Sequence, residues 1–158
     1  MNILDAHTYL DPYFLEIEKI GLDLKNYPLD HLGFSATSKE QYETRRDDFL
    51  TISSLIREHI VSGRRVAVFR LNTKIKYRQY EIEALELVEP KNDEVNPVDG
   101  FEHAEFTIDV PFEEIVNKYP GIAWDTSSMS RSDFPRLKLV FQNRTELKFN
   151  ITPILSEA

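Results

Sequence analysis

Two stretches of this sequence place a histidine directly after an acidic residue at the start of an alternating run. One is Leu29-Asp30-His31-Leu32-Gly33-Phe34-Ser35, the other Phe101-Glu102-His103-Ala104-Glu105-Phe106-Thr107-Ile108. Side chains of a β-strand point alternately to opposite faces, so His31, Gly33 and Ser35 share a face, as do His103, Glu105 and Thr107. A single inward-facing strand histidine is ordinarily a hydrogen-bonded core residue. Two at matching places in two similar blocks argue instead for a shared site. Neutral imidazole is the commonest protein metal ligand. With a carboxylate beside the pair, the set suits Fe(II), Mn(II), Ni(II) or Zn(II). The candidate carboxylate is Glu86, which lies between apolar residues in Leu85-Glu86-Leu87-Val88-Glu89-Pro90. A charge in such a place needs a counter-ion or a metal. Glu81 and Glu83 sit in a more polar stretch and read as solvent-facing.

Positioning these side chains requires a particular order of elements. Residues 9–25 carry Leu10, Phe14, Ile17 and Leu24 at helical spacing, which predicts an N-terminal arm (1–28) of one or two amphipathic helices, closed by Pro28. Leu29 to Ala36 reads as a strand, and Thr37 or Ser38 caps a helix running to about Phe49 or Leu50. Two strands joined across Ser62-Gly63-Arg64 follow, then a turn at Asn72–Lys74 and a long strand from Tyr77 to Glu89. Arg78, Gln79 and Tyr80 on that strand could line a cavity, with at least one of them read as a surface position. This first block, 29–90, is β-α-β-β-β. A linker at 91–100 leads to a second block, 101–152, then a tail at 153–158. The second block has a strand at Glu102–Asp109, a helix at Pro111–Tyr119 and a weak strand at Ile122–Thr126. A Ser-rich loop at Ser127–Pro135, long enough to cover a site, precedes a hairpin across Asn143-Arg144. The fold class expected is α+β: two βαβββ modules forming an open, partly closed β-barrel-like sheet.

Composition excludes several functions. There is no cysteine among the 158 residues, which removes thiolate metal sites and cysteine nucleophiles and makes a cytoplasmic address the expectation. A net charge of −8 argues against nucleic acid as a partner. No run approaches the ~20 apolar residues of a membrane span, and the N-terminus does not read as a secretory signal. G-x-S-x-G, P-loop and G-x-G-x-x-G patterns are missing. A small-molecule ligand and a monomer or homodimer are what remain.

His31 in LDHLGFSA, Glu86 in LELVEP and His103 in GFEHAEF resemble the first three metal ligands of the vicinal oxygen chelate superfamily, which includes glyoxalase I, extradiol dioxygenases and fosfomycin resistance proteins. Within it the chain is most similar to the YecM-type proteins, over about residues 29–152. The resemblance implies paired modules around a divalent ion (Fe, Mn, Ni or Zn) and an isomerase, lyase or dioxygenase acting on a small oxygenated molecule. One position departs from the pattern. The last strand of the superfamily supplies a glutamate ligand where this chain has Lys148. A lysine cation about 5 Å from a divalent ion would be repelled by about 7 kcal/mol at an effective dielectric of about 20. Either Lys148 is a neutral base, or it turns away, or it pairs with Glu86 at a metal-free site. Glu146 or Glu105 could replace the lost ligand. A metal-free small-ligand binding module is the rival to the enzyme.

Overall fold

A computed structural model describes residues 5–157 of the chain. The first four residues of the expected arm and the last residue of the expected tail lie outside them. The arm is one helix, α1 (Ala6–Lys19), capped by the Asp5 carboxylate, which accepts from the Thr8 backbone and hydroxyl. Its buried stripe is Ala6, Leu10, Tyr13, Phe14 and Ile17. Gly21 takes φ +77, a left-handed conformation that stops the helix short of residue 25.

Seven strands follow in one sheet. They are β1 (Leu29–Ser35), β2 (Ser53–Val61), β3 (Arg64–Tyr77), β4 (Tyr80–Val88), β5 (Gly100–Thr107), β6 (Leu137–Val140) and β7 (Glu146–Asn150), ordered β2-β3-β4-β1-β5-β7-β6. Helix α2 (Lys39–Leu50) is capped by the Ser38 hydroxyl, and α3 is Phe112–Lys118. A 3-10 turn, Ile154–Ser156, closes the described chain. The pairing repeats about the central antiparallel β1–β5 pair: β1 runs parallel to β4 as β5 runs parallel to β7.

Two details differ from the sequence reading. The turn expected at Asn72–Lys74 is a bulge, and β3 continues until Arg78-Gln79, because Ile75 and Tyr77 beyond it bury on the core. Arg78 and Gln79 thus form the hairpin turn, while Tyr80 is buried with its hydroxyl donating to the Leu24 carbonyl; none of the three lines the cavity. The weak strand at Ile122–Thr126 shrinks to a single bridge between Asp125 and Lys138.

One sheet face carries the main core. Leu32, Phe34, Phe69, Leu85, Phe106, Leu147 and Phe149 pack there against the helices, with Tyr42 and Phe49 from α2. Each such side chain contributes about 1.5–3 kcal/mol through burial. The opposite face holds the polar side chains and a small apolar patch of Val68, Ala84 and Ile154. The sheet is not closed into a barrel. Arg57 and His59 of β2 and Lys138 of β6 nevertheless line one cavity, so the sheet curls around it. Phe134 of the 127–135 loop stacks on His59, with ring centroids 5.7 Å apart, and bridges the gap between the sheet's edges.

The end of β4 is tied to β3 by buried Glu89, which accepts from the Arg65 backbone at 2.8 Å and pairs with its guanidinium at 2.9 Å. Burial raises this carboxyl's pKa, but the Arg65 contacts outweigh it and hold the pKa below the usual value. The contribution is therefore complete above the ordinary carboxylate range and is lost as pH falls through the lowered pKa. Urea unfolding of Glu89→Gln is expected to show a loss of about 1–3 kcal/mol at pH 7 that shrinks on acidification. A deficit unchanged down to pH 3 would contradict this.

Candidate metal centre

Strand geometry alone would put Asp30 and Glu102 on the face opposite their histidines. Two β-bulges overturn that. Across β1–β5, Leu29 pairs with Phe106 and His31 with Glu105, so Asp30 is an extra residue in β1. Gly33 pairs with His103 and Phe34 with Phe101, so Glu102 is an extra residue in β5. A bulge inserts one residue and re-aims its neighbours. Each acid thereby reaches the histidine that follows it. Asp30 Oδ2 lies 2.8 Å from His31 Nδ1, and Glu102 Oε1 lies 3.4 Å from His103 Nδ1.

The histidines converge. Both are buried, and their rings meet edge to face with centroids 5.7 Å apart. Glu86 joins them because the core-facing parity of β4 flips between Ile82 and Leu85, leaving Glu86 on the site face and Glu81 exposed. One ligand atom from each of His31, Glu86 and His103 lies within 4.8 Å of the other two. Asp30, His31 and Glu105 form a second such trio.

Several buried nitrogens there have no hydrogen-bond partner. With Asp30 accepting from Nδ1, His31 presents Nε2 unpaired, 3.8 Å from Glu105. His103 Nε2 lies 3.3 Å from Glu86 Oε1, but neither of its ring nitrogens closes an aligned hydrogen bond. Unpaired buried nitrogens facing a carboxylate fit a cation better than a packed core. The electrostatics agree with a concentrated charge cluster. Burial raises the Glu86 pKa, but contacts with His103 and the charges of His31 and Lys148 hold it well below the usual range. Burial and Lys148 lower His103, yet Glu102 and Glu86 leave it net raised.

Gly33 is required by this packing. A β-carbon there would stand 1.9 Å from His103 Cε1, inside the ring's own space. Gly33→Ala is expected to expel the His103 ring and weaken divalent-ion binding by about tenfold or more, the loss of one ligand. Calorimetric titration of folded protein checks this, and unchanged affinity would contradict it.

The ladder also places the remaining candidates. Glu86 pairs with Gly33, two residues past His31; Lys148 pairs with Glu105, two residues past His103. Lys148 thus stands in the second half where Glu86 stands in the first. It lines the cavity, with Nζ 3.6 Å from Glu146 Oε2. Glu105 is fully buried and committed to Arg136 Nε, at 2.9 Å, and to the Asn150 amide. Burial raises its pKa, but His31 and Arg136 bring it below the usual value. Arg136 and Glu157, which pair at 2.7 Å, escaped the sequence reading because they come from a loop and the chain's end, where no periodicity marks a face. Asp30 and Glu102 were visible only as the acids preceding each histidine.

The chain resembles known proteins in sequence and in fold. A 102-residue stretch is 26% identical to an uncharacterised protein of Haemophilus influenzae, covering 65% of this chain and 53% of that one, so the match spans about half of that relative's length. The solved structure titled Protein EC4020 superposes with a TM-score of 0.79 at 21% identity, over 95% of this chain and 85% of that one. Methylmalonyl-CoA epimerase, solved with methylmalonyl-CoA and NH4+, superposes at 0.52 with 17% identity, over 80% and 96%. At these identities the structures show a shared fold and nothing beyond it. The family model described as YecM protein matches residues 4–151, nearly the whole chain, and the chain belongs to the YecM family.

Proposed function

We propose that the protein is a divalent-metal enzyme of the vicinal oxygen chelate type acting on a small oxygenated molecule. The supporting observation is the trio His31, Glu86 and His103, with unpaired imidazole nitrogens facing one carboxylate. Asp30 fixes the His31 ring through Nδ1, and Glu102 lies beside the His103 Nδ1 at 3.4 Å, with the His103 Nε2 toward Glu86. A divalent ion held there would supply Lewis acidity toward two adjacent oxygens of the bound molecule. Lys148 lines the cavity wall, which supports a role in meeting negative charge that develops on the substrate and in delivering a proton to it. Glu146 sets its position from 3.6 Å. Glu105, pinned by Arg136, supports the His31 side of the site.

A metal-free binding module is the second reading, favoured by one observation. His103 lies between Glu86 and Glu102, with Lys148 nearby, so the cluster balances much of its own charge. The two readings separate in D2O. Protein loaded in turn with Mn(II), Fe(II), Ni(II) or Zn(II) is mixed with 2-hydroxy and 2-oxo acids and followed by NMR for exchange of the carbon-bound proton. Metal-dependent exchange supports an isomerase or lyase, and oxygen consumption confined to Fe(II) supports a dioxygenase. Ligand binding unaffected by metal, without turnover, supports the module.

A further inference from the structure

The charge of the cavity is opposite to that of the chain. The protein has 19 lysines and arginines against 27 acidic residues. The cavity is lined by seven lysines and arginines against four glutamates. Two of those glutamates, Glu105 and Glu157, share the single charge of Arg136. Glu86 and Glu102 belong to the histidine cluster. The other six cations, Arg57, Arg64, Lys91, Arg131, Lys138 and Lys148, exceed what the cavity's own acids can balance. Arg131 and Lys148 have carboxylates outside the lining, at 3.5 Å from Asp133 and 3.6 Å from Glu146. Arg57, Arg64, Lys91 and Lys138 have no carboxylate within 4.0 Å among the described residues.

Two of these are also short of hydrogen-bond partners. Arg57 uses one terminal nitrogen on the Ile154 carbonyl, at 2.6 Å, while its buried Nε has none. The buried Nε of Arg64 has none either. Guanidinium groups are the side chains best shaped to grip a carboxylate or phosphate through two parallel bonds. A cleft of one sign also draws in ions of the other.

Resting on the metal-centre reading for its other end, we infer that the substrate is a small molecule with a second anionic group, carboxylate or phosphate, bound by Arg64 and Arg57. The cavity volume of about 170 Å³ limits its size. That is below the roughly 300–1,000 Å³ of drug-sized ligand sites. A four-carbon diacid or a phosphorylated three-carbon acid is the scale that fits.

Matched probes isolate the second anion. Lactate and malate share a 2-hydroxy acid head and differ in a distal carboxylate, as glycerate and 3-phosphoglycerate differ in a distal phosphate. Calorimetric titration of the full chain, with and without Mn(II), is expected to show malate, 3-phosphoglycerate or both binding about tenfold tighter than the partner lacking the distal group, since one charge-assisted contact is worth about that much. The preference should weaken with added salt. Arg64→Gln should reduce it to about threefold or less while Mn(II) affinity stays unchanged. Arg57→Gln should do the same, and a fall in its melting temperature would leave Arg64→Gln to decide. Preference for malate alone assigns a carboxylate, and for 3-phosphoglycerate alone a phosphate. Equal binding within each pair, or a preference that survives Arg64→Gln, overturns the inference. A preference in protein that takes up no metal supports it and overturns the metal-centre reading instead.

Discussion

Replacing Lys148 with glutamate is expected to tighten divalent-ion binding by about a hundredfold or more, and Lys148→Met by about tenfold. The register makes Lys148 the counterpart of Glu86, so glutamate there restores a second carboxylate facing the histidines. The full repulsion between a lysine and a divalent ion about 5 Å apart is about 7 kcal/mol at an effective dielectric of about 20. A fifth of that is already a factor of ten. The methionine variant removes the repulsion alone; the glutamate variant adds a ligand. Without metal, Lys148→Glu should melt lower than the parent, because Glu86, Glu102 and Glu146 then lose their nearby cation. If Lys148 also delivers the proton, both variants lose turnover while binding metal more tightly. Competition titration against a chelator gives the affinities. Weaker or unchanged binding in both variants would place Lys148 away from the ion.

Arg136→Met is expected to destabilise the protein by about 3–5 kcal/mol, the usual cost of leaving a buried charge without its partner. Glu105 is 2% exposed and faces the Arg136 guanidinium at 2.9 Å. The same guanidinium holds Glu157, so the loss also frees the chain end that covers the site face. For a domain of this size the melting temperature should fall by roughly 10 °C, at 2–4 °C for each kcal/mol. The double variant Arg136→Met/Glu105→Gln should recover much of the loss, because no uncompensated charge then remains. A double variant no more stable than Arg136→Met would mean that Arg136 acts through packing rather than charge.

The regular part of this architecture was readable from alternation and turn chemistry. The two histidine strands, the capped helix after the first and the Ser62-Gly63 hairpin all follow from local pattern. What alternation could not show were interruptions of alternation. Bulges at Asp30 and Glu102 bring both acids to the histidine face, whereas Glu86 was already marked by the apolar residues on either side of it. Single-residue insertions depend on the partner strand, which no one-dimensional pattern contains. The need for glycine at position 33 was equally hidden. The space that a side chain there would take is filled by the His103 ring arriving from another strand. The cationic cavity wall was masked by the acidic chain as a whole, since its members come from β2, β3, β6, β7 and two loops.

Metal content is the most direct measure of the central claim. Protein purified without chelators, dialysed against Fe(II), Mn(II), Ni(II) or Zn(II) and washed, should retain about one ion per chain by elemental analysis. His31→Ala and His103→Ala, folded by circular dichroism, should retain at least about tenfold less. No stoichiometric ion in the parent protein, or the same content in both variants, would contradict a centre built on His31, Glu86 and His103.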